Sequence, residues 1–196
     1  MHRSRPVASV VLVGAVLACG PVLSGTPVAR AAQDATPAGC PATTPGENAT
    51  LVRDWFAALS ARDWDGVGAL AAADIVYHDP SPADAPQTGG AGEWADTRGQ
   101  DFPDLAVTVE QVVAEGDMVA SYQRWTGTQQ GDAEDELGVP ATGVATEWVS
   151  MGLFRVECGK IAEVWAVADD LGRLQRLGVI TDEELRSAAP AATPAP

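Results

Sequence analysis

The sequence predicts one small α+β domain in which helices precede a sheet of long antiparallel strands. Apolar residues first recur with a helical period, and after residue 105 they recur with a period of two. Two turn signals, Gly116-Asp117 and Cys158-Gly159-Lys160, divide this second half into hairpins. We therefore expect a cone, in which a strongly curved antiparallel sheet wraps around a long N-terminal helix and encloses a pocket.

Each helix is predicted from an apolar stripe or from a capping pattern. In the first helix the apolar side chains recur every 3.6 residues, which places them on one face. Thr181 and Glu184 have the spacing of a capping box, so a further short turn of helix is expected near the C-terminus. The first helix is predicted at Glu47 to about Arg62. Three more are a short one that holds Val67, Leu70 and Ala71, then Trp94 to Gln100, and Leu171 to about Leu177.

The strands alternate between apolar and polar residues, and turn residues separate them. A brief strand comes first and is stopped by Asp79-Pro80. Two polar segments, Ser81 to Gly92 and Gln129 to Gly143, are expected to be long connections. The predicted strands are Ile75 to His78, Ala106 to Glu115, Met118 to Thr128, Thr146 to Glu157 and Ile161 to Asp169.

Residues 1–32 are interpreted as a signal peptide. Arg3 and Arg5 precede an apolar run from Val7 to Leu17, and Ala29-Arg30-Ala31 is a small-x-small cleavage pattern. We therefore expect a secreted protein. An alternative stays open, because residues 16–19 loosely fit a lipoprotein signal, in which a lipid on Cys19 would hold the chain on the outer face of the cell membrane.

The rest of the chain is predicted to hold one folded domain between two flexible segments. Residues 33–46 are rich in Ala, Pro, Thr and Gly and are expected to form a linker. Residues 188–196 are Ala-Pro-Thr-rich and are expected to form a disordered tail. The domain itself is placed at residues 47–187.

The charge of the chain limits the classes of partner. Its 27 Asp and Glu residues outnumber its 12 Lys and Arg residues, so the formal net charge is -15, and no basic cluster reverses this locally. Such a surface repels nucleic acid and anionic lipid. We expect no nucleic-acid partner, and no membrane partner unless Cys19 is lipidated.

The cysteines predict a disulfide rather than a metal site. Cys19 is lost or lipidated under either processing route, which leaves Cys40 and Cys158 as a pair in an oxidising compartment. We predict that they are bonded, and two free thiols are the alternative. The sequence has no CxxC pattern and His78 is the one histidine of the mature chain, so no metal is expected.

Five segments in a fixed order carry a family resemblance. They are Asp74 to Pro80 (DIVYHDP), Phe102 to Leu105 (FPDL), Ala114 to Val119 (AEGDMV), Leu137 to Gly143 (LGVPATG) and Phe154 to Trp165 (FRVECGKIAEVW). As an ordered set, over about residues 48–178, they resemble the SnoaL-like polyketide cyclase family, also called ester cyclase-like. The resemblance implies the cystatin-like cone fold, which is shared with ketosteroid isomerases and nuclear transport factor two.

The resemblance also implies a chemistry. The family has an acid–base aspartate after the tryptophan of the last strand, and Asp169 occupies that place here. Members with characterised chemistry close a ring by intramolecular aldol condensation of a polyketide ester, without a metal or an organic cofactor. Dimers that form through the sheet face are common for this fold, so a homodimer is expected.

Strand geometry gives a second argument for Asp169. Alternate residues of a strand share a face, so Glu163, Trp165, Val167 and Asp169 point the same way. If Trp165 and Val167 line an apolar cavity, desolvation raises the pKa of Asp169 and suits it to move a proton. The alternative is that the pair Asp169-Asp170 caps the last helix.

The remaining candidates surround the same pocket. His78 ends a short strand beside a connecting loop, where it can orient a carbonyl or share a proton, and a histidine bonded to Asp79 or to the backbone is the alternative. An aromatic wall suits a flat apolar ligand, and plain core packing is the alternative. The candidate ligand-binding residues are Trp125, Trp148, Phe154, Trp165 and Glu163.

Three functional hypotheses follow. The first is a lyase or isomerase that performs acid–base chemistry on a small hydrophobic carbonyl compound, with Asp169 as the base and His78 as its helper. The second is a non-catalytic protein that binds a small apolar metabolite. The third is an interaction domain that dimerises through its sheet.

Overall fold

The computed structural model describes residues 39–78, 87–88, 90–131 and 140–188. The predicted signal peptide, residues 33–38 of the predicted linker and the predicted tail after residue 188 lie outside these ranges. Within them, no helix is both long and apolar enough to span a membrane. The elements in chain order are α1 (Pro45–Ala61), α2 (Trp64–Leu70), β1 (Ala71–His78), β2 (Gln87–Thr88), α3 (Ala91–Asp101), β3 (Ala106–Glu115), β4 (Met118–Thr128), β5 (Ala145–Glu157), β6 (Lys160–Ala168), α4 (Asp170–Arg176) and α5 (Asp182–Ala188).

Helix α1 begins at a capping box and packs against the sheet. The backbone N–H of Glu47 donates to the Thr44 hydroxyl at 3.3 Å, and the backbone N–H of Thr44 donates to the Glu47 carboxylate at 2.7 Å. The helix therefore starts two residues before its predicted position, and it ends at Arg62 in the left-handed conformation. Its buried apolar face consists of Val52, Trp55, Phe56 and Leu59.

The strands form one curved sheet in the order β2-β1-β6-β5-β4-β3, which confirms the predicted α+β cone. The four long strands pair antiparallel as expected, β3 with β4, β4 with β5 and β5 with β6. Strand β1 instead pairs parallel with β6 and begins at Ala71, so it is longer than predicted. Its place beside β6 brings Tyr77 and His78 next to Val164 and Trp165, in the middle of the last strand.

A β-bulge in β6 decides which of its side chains face the core. Arg155 pairs with Glu163 while the next residue of β5, Val156, pairs with Ile161, so β6 holds one extra residue between these pairs. Ile161 and Val164 are consequently both buried, although they lie three positions apart. Beyond the bulge, successive side chains again point to opposite faces of the sheet, with Glu163 on the outer face and Val164 on the inner face.

The predicted disulfide joins Cys40 to Cys158 across a sequence separation of 118 residues. Cys158 and Gly159 form the turn between β5 and β6, and both have positive φ, 54° and 70°. Positive φ at both central residues is typical of the tight turns that suit twisted hairpins. The disulfide therefore fixes the segment before α1 to the β5–β6 hairpin.

Candidate functional site

A cavity of about 550 Å³ lies between the inner face of the sheet and helices α1, α3 and α4. Its volume falls in the range of pockets for small organic ligands. Seven aromatic side chains from five elements line it: Trp55, Phe56, Tyr77, Trp94, Trp125, Trp148 and Phe154. The predicted ligand-binding residues Trp125, Trp148 and Phe154 are therefore placed in one wall by β4 and β5.

A chain of hydrogen bonds crosses the inner face of the sheet. The indole N–H of Trp125 donates to Ser150 Oγ at 2.7 Å, and the Ser150 hydroxyl donates to Gln123 Oε1 at 3.1 Å. The amide of Gln123 then donates to Ser121 Oγ at 2.6 Å. Since these groups satisfy one another, they hold Trp125 in place and leave Gln123 buried. Sequence reasoning missed this network, whose signal was the polar alternation Ser121, Gln123 on an otherwise apolar face.

Tyr77 and Trp55 line the cavity and carry polar atoms that lack partners. The Tyr77 hydroxyl and the Trp55 indole nitrogen are buried, with no hydrogen-bond partner among the described residues. Trp94 lies between their rings, with centroids 6.0 Å from Tyr77 and 5.5 Å from Trp55. Burial raises the pKa of Tyr77 to about 12, so its phenol keeps its proton and remains a hydrogen-bond donor. An oxygen atom of a bound ligand would satisfy such a donor.

Asp169 lies outside the cavity wall and caps helix α4. Its carboxylate accepts the backbone N–H of Gly172 at 2.9 Å and lies 3.4 Å from Arg176. This is the arrangement that the capping alternative predicted, with Asp169 rather than Asp170 as the cap. The expected direction of Asp169 is corrected, because the bulge in β6 turns Glu163, Trp165 and Asp169 away from the cavity wall, whereas Val167 contributes to that wall.

Asp170 takes the inward position instead. It is the first residue of α4 and belongs to the cavity wall, as do Val164, Ala166 and Ala168 of the inner face of β6. One of its carboxylate oxygens lies 3.1 Å from a terminal nitrogen of Arg173. A carboxylate at the edge of an apolar cavity is placed to accept a proton from a compound bound there, and the guanidinium of Arg173 keeps it ionised. Sequence reasoning favoured Asp169 over Asp170 for a functional role and considered Asp170 well placed for the cap.

His78 borders the cavity, but its ring belongs to a cluster on the outer face of the sheet. It stacks on Trp165 with ring centroids 4.3 Å apart, and its Nε2 lies 2.7 Å from a Glu163 oxygen. Arg155 donates to the other Glu163 oxygen at 2.6 Å. Burial would raise the pKa of Glu163, but the hydrogen bonds with His78 and Arg155 outweigh it and hold that pKa below its ordinary value. The structure thus brings His78, Glu163 and Trp165 together. The bulge in β6 turns Glu163 and Trp165, like Asp169, away from the cavity wall.

Among the described residues, no group of three or more His, Cys, Asp or Glu side chains is arranged to hold a metal ion. The polar groups of the cavity wall are instead hydroxyl, indole, amide, carboxylate and guanidinium groups. Such a set serves hydrogen bonding and proton transfer to an organic ligand.

The family model for SnoaL-like polyketide cyclases matches residues 49–177, which is more than half of the chain. The chain belongs to this family. The matched range runs from α1 through α4 and so includes every residue of the cavity wall. A search of curated proteins found no match.

Several solved structures have the same fold as this SnoaL-like domain. AclR of Streptomyces galilaeus, proposed to be a hydroxylase, is 28% identical with a TM-score of 0.61, over 70% of this chain and 100% of its own. IdmH of Streptomyces antibioticus, proposed to be a polyketide cyclase, is 28% identical with a TM-score of 0.53, over 67% of this chain and 99% of its own. A Catenulispora acidiphila protein with a ketosteroid isomerase-like fold is 22% identical with a TM-score of 0.55, over 70% and 96%, which shows the fold alone.

Proposed function

We propose that this SnoaL-like domain binds a small hydrophobic carbonyl compound in its cavity and promotes cyclisation or isomerisation of that compound by proton transfer. The observation that carries the proposal is the combination, in one aromatic wall, of the Asp170 carboxylate with the unpartnered Tyr77 hydroxyl. The first group can accept a proton, and the second can donate a hydrogen bond to a carbonyl oxygen. Family membership supports the same reaction class.

The proposed reaction uses side chains of this chain alone. Asp170 removes a proton from the carbon next to a carbonyl, and the electron pair of the broken C–H bond moves to the carbonyl oxygen. Tyr77 stabilises the enolate by a hydrogen bond, since its phenol stays protonated below its pKa of about 12. In a cyclisation, the enolate carbon attacks a second carbonyl of the same molecule, and Asp170 returns its proton to the new alkoxide.

A non-catalytic binding function is the second candidate. It is favoured by the position of Asp169, because the aspartate that the family resemblance implied as acid–base group is engaged as a helix cap outside the cavity wall. In that case the aromatic wall binds an apolar metabolite, and Asp170 serves only as the partner of Arg173.

Hydrogen–deuterium exchange on a model ketone separates the two candidates without knowledge of the natural substrate. The mature protein is incubated with 2-tetralone in D2O, and loss of the signals of the hydrogens next to the carbonyl is followed by proton NMR. Catalysis predicts exchange faster than in buffer, a loss of most of this acceleration in Asp170→Asn, and a smaller loss in Tyr77→Phe. Tyr122→Phe is the matched control, because Tyr122 is the other tyrosine of the chain and lies outside the cavity wall. Binding of 2-tetralone without faster exchange of its hydrogens would contradict catalysis and support the binding function.

We further propose that the protein is exported and acts as a homodimer. Export is supported by the signal-like sequence of residues 1–32 and by a disulfide, which persists in oxidising compartments. The dimer is supported by neighbouring exposed apolar side chains on the outer face of β5, namely Met151 and Leu153. Light scattering on the wild type and on Met151→Glu tests the dimer, since a charge at a buried dimer interface should yield monomers.

A further inference from the structure

Arg173 is a buried cation in the wall of the cavity. It lies on α4 with 2% of its surface exposed, and the carbon of its guanidinium is 5.2 Å from the centroid of the Trp148 ring. One terminal nitrogen lies 3.1 Å from Asp170. Its Nε is buried and has no hydrogen-bond partner in the part of the chain that the structure describes.

This arrangement leaves the charge of Arg173 only partly compensated. A guanidinium carries five N–H donors and stays protonated in proteins, so burial without partners is costly. Among the described residues it forms an ion pair with Asp170, whose side chain is 43% exposed, so solvent screens part of this interaction. Arg176, one turn further along α4, shows the ordinary arrangement, since its side chain is 45% exposed and pairs with Asp169 at the surface.

We propose that the ligand of this cavity is a flat apolar compound that carries one carboxylate group, and that Arg173 binds this group. The inference rests on the proposed function, because it assigns the substrate class of the same cavity. The planar guanidinium matches a carboxylate through parallel N–H donors, and the face of Trp148 holds it in a fixed plane. Trp125 stacks on Trp148 with centroids 5.8 Å apart, which provides a wall for the flat body of the ligand beside the cation.

The proposal predicts a preference that one pair of probes can measure. Calorimetric titration compares 2-naphthoate with methyl 2-naphthoate, which has the same aromatic body and no charge. The wild-type protein should bind the carboxylate at least about tenfold more tightly than the ester, the effect of one charge-assisted hydrogen bond. Arg173→Gln should remove this preference and leave the dissociation constant of the ester within about twofold. Arg176→Gln is the matched control on the same helix and should keep the preference.

The outcomes separate this inference from the function on which it rests. Equal affinity of the wild type for both probes, or an unchanged preference in folded Arg173→Gln, overturns the role of Arg173. The wild-type comparison needs no variant, so the proposal stays testable even if Arg173→Gln does not fold. Binding of neither probe overturns the cavity as a ligand site, and with it the proposed function.

Discussion

Loss of the disulfide between Cys40 and Cys158 should destabilise the domain strongly. The bond closes a loop with a sequence separation of 118 residues. In the chain-entropy description, a loop of this length restricts the unfolded chain by about 5 kcal/mol at 25 °C, an upper figure for the native effect. For a domain of this size, that corresponds to a fall in melting temperature of roughly 10–20 °C.

Cys40→Ser is the sharpest variant for this test. Cys40 lies in the segment before α1, whereas Cys158 forms part of a turn with positive φ, so a change at Cys40 breaks the bond without altering the turn. Thermal and urea unfolding are followed by circular dichroism for the wild type and the variant, with and without reductant. Reduced wild type should unfold like Cys40→Ser. A variant that unfolds within about 1 kcal/mol of the oxidised wild type would refute the entropic reasoning.

Three further substitutions test the cavity and the N-terminal cap of helix α4. Tyr77→Phe should leave the free energy of unfolding unchanged or raise it by up to about 1 kcal/mol, because the lost hydroxyl has no hydrogen-bond partner among the residues that the structure describes. In the wild type, absorbance at alkaline pH should show Tyr77 ionising near 12, and the free energy of unfolding should fall as the pH rises from about 10 towards 12, since the unfolded chain releases that proton first. Gly152→Ala should lower stability by about 1–3 kcal/mol in urea, because its new Cβ would lie 2.5 Å from the Phe154 ring. Asp169→Ala should cost about 1 kcal/mol through the lost cap, and an unchanged melting temperature would contradict that assignment.

Hydrophobic periodicity was sufficient to predict the long strands. Each strand of the hairpins β3–β4 and β5–β6 begins and ends within one residue of its predicted position, because alternation and turn residues act locally. Cys40 and Cys158 were paired by counting alone, and the structure contains that bond. The parallel pairing of β1 with β6 was not predictable in the same way, since it joins segments that are distant along the chain.

Which side chains of β6 face the cavity could not be predicted from the sequence of that strand. Alternation counted from Ile161 placed Glu163, Trp165 and Asp169 on the inner face, but a single extra residue in β6 reverses the face of every position after it. The same reversal brings Asp170 into the cavity wall. A bulge depends on pairing with the neighbouring strand, so it leaves no signal in the periodicity of one segment.

Asp170, and not Asp169, is the residue proposed to move a proton in the cavity. The most direct measurement is the rate of deuterium incorporation into 2-tetralone in the presence of two variants of adjacent residues, Asp169→Asn and Asp170→Asn. The assay temperature is chosen below the melting temperatures of both variants, so that both are folded. The structure predicts that Asp169→Asn retains most of the wild-type acceleration and that Asp170→Asn loses it. Loss of exchange in Asp169→Asn with retention in Asp170→Asn would contradict the assignment of the site.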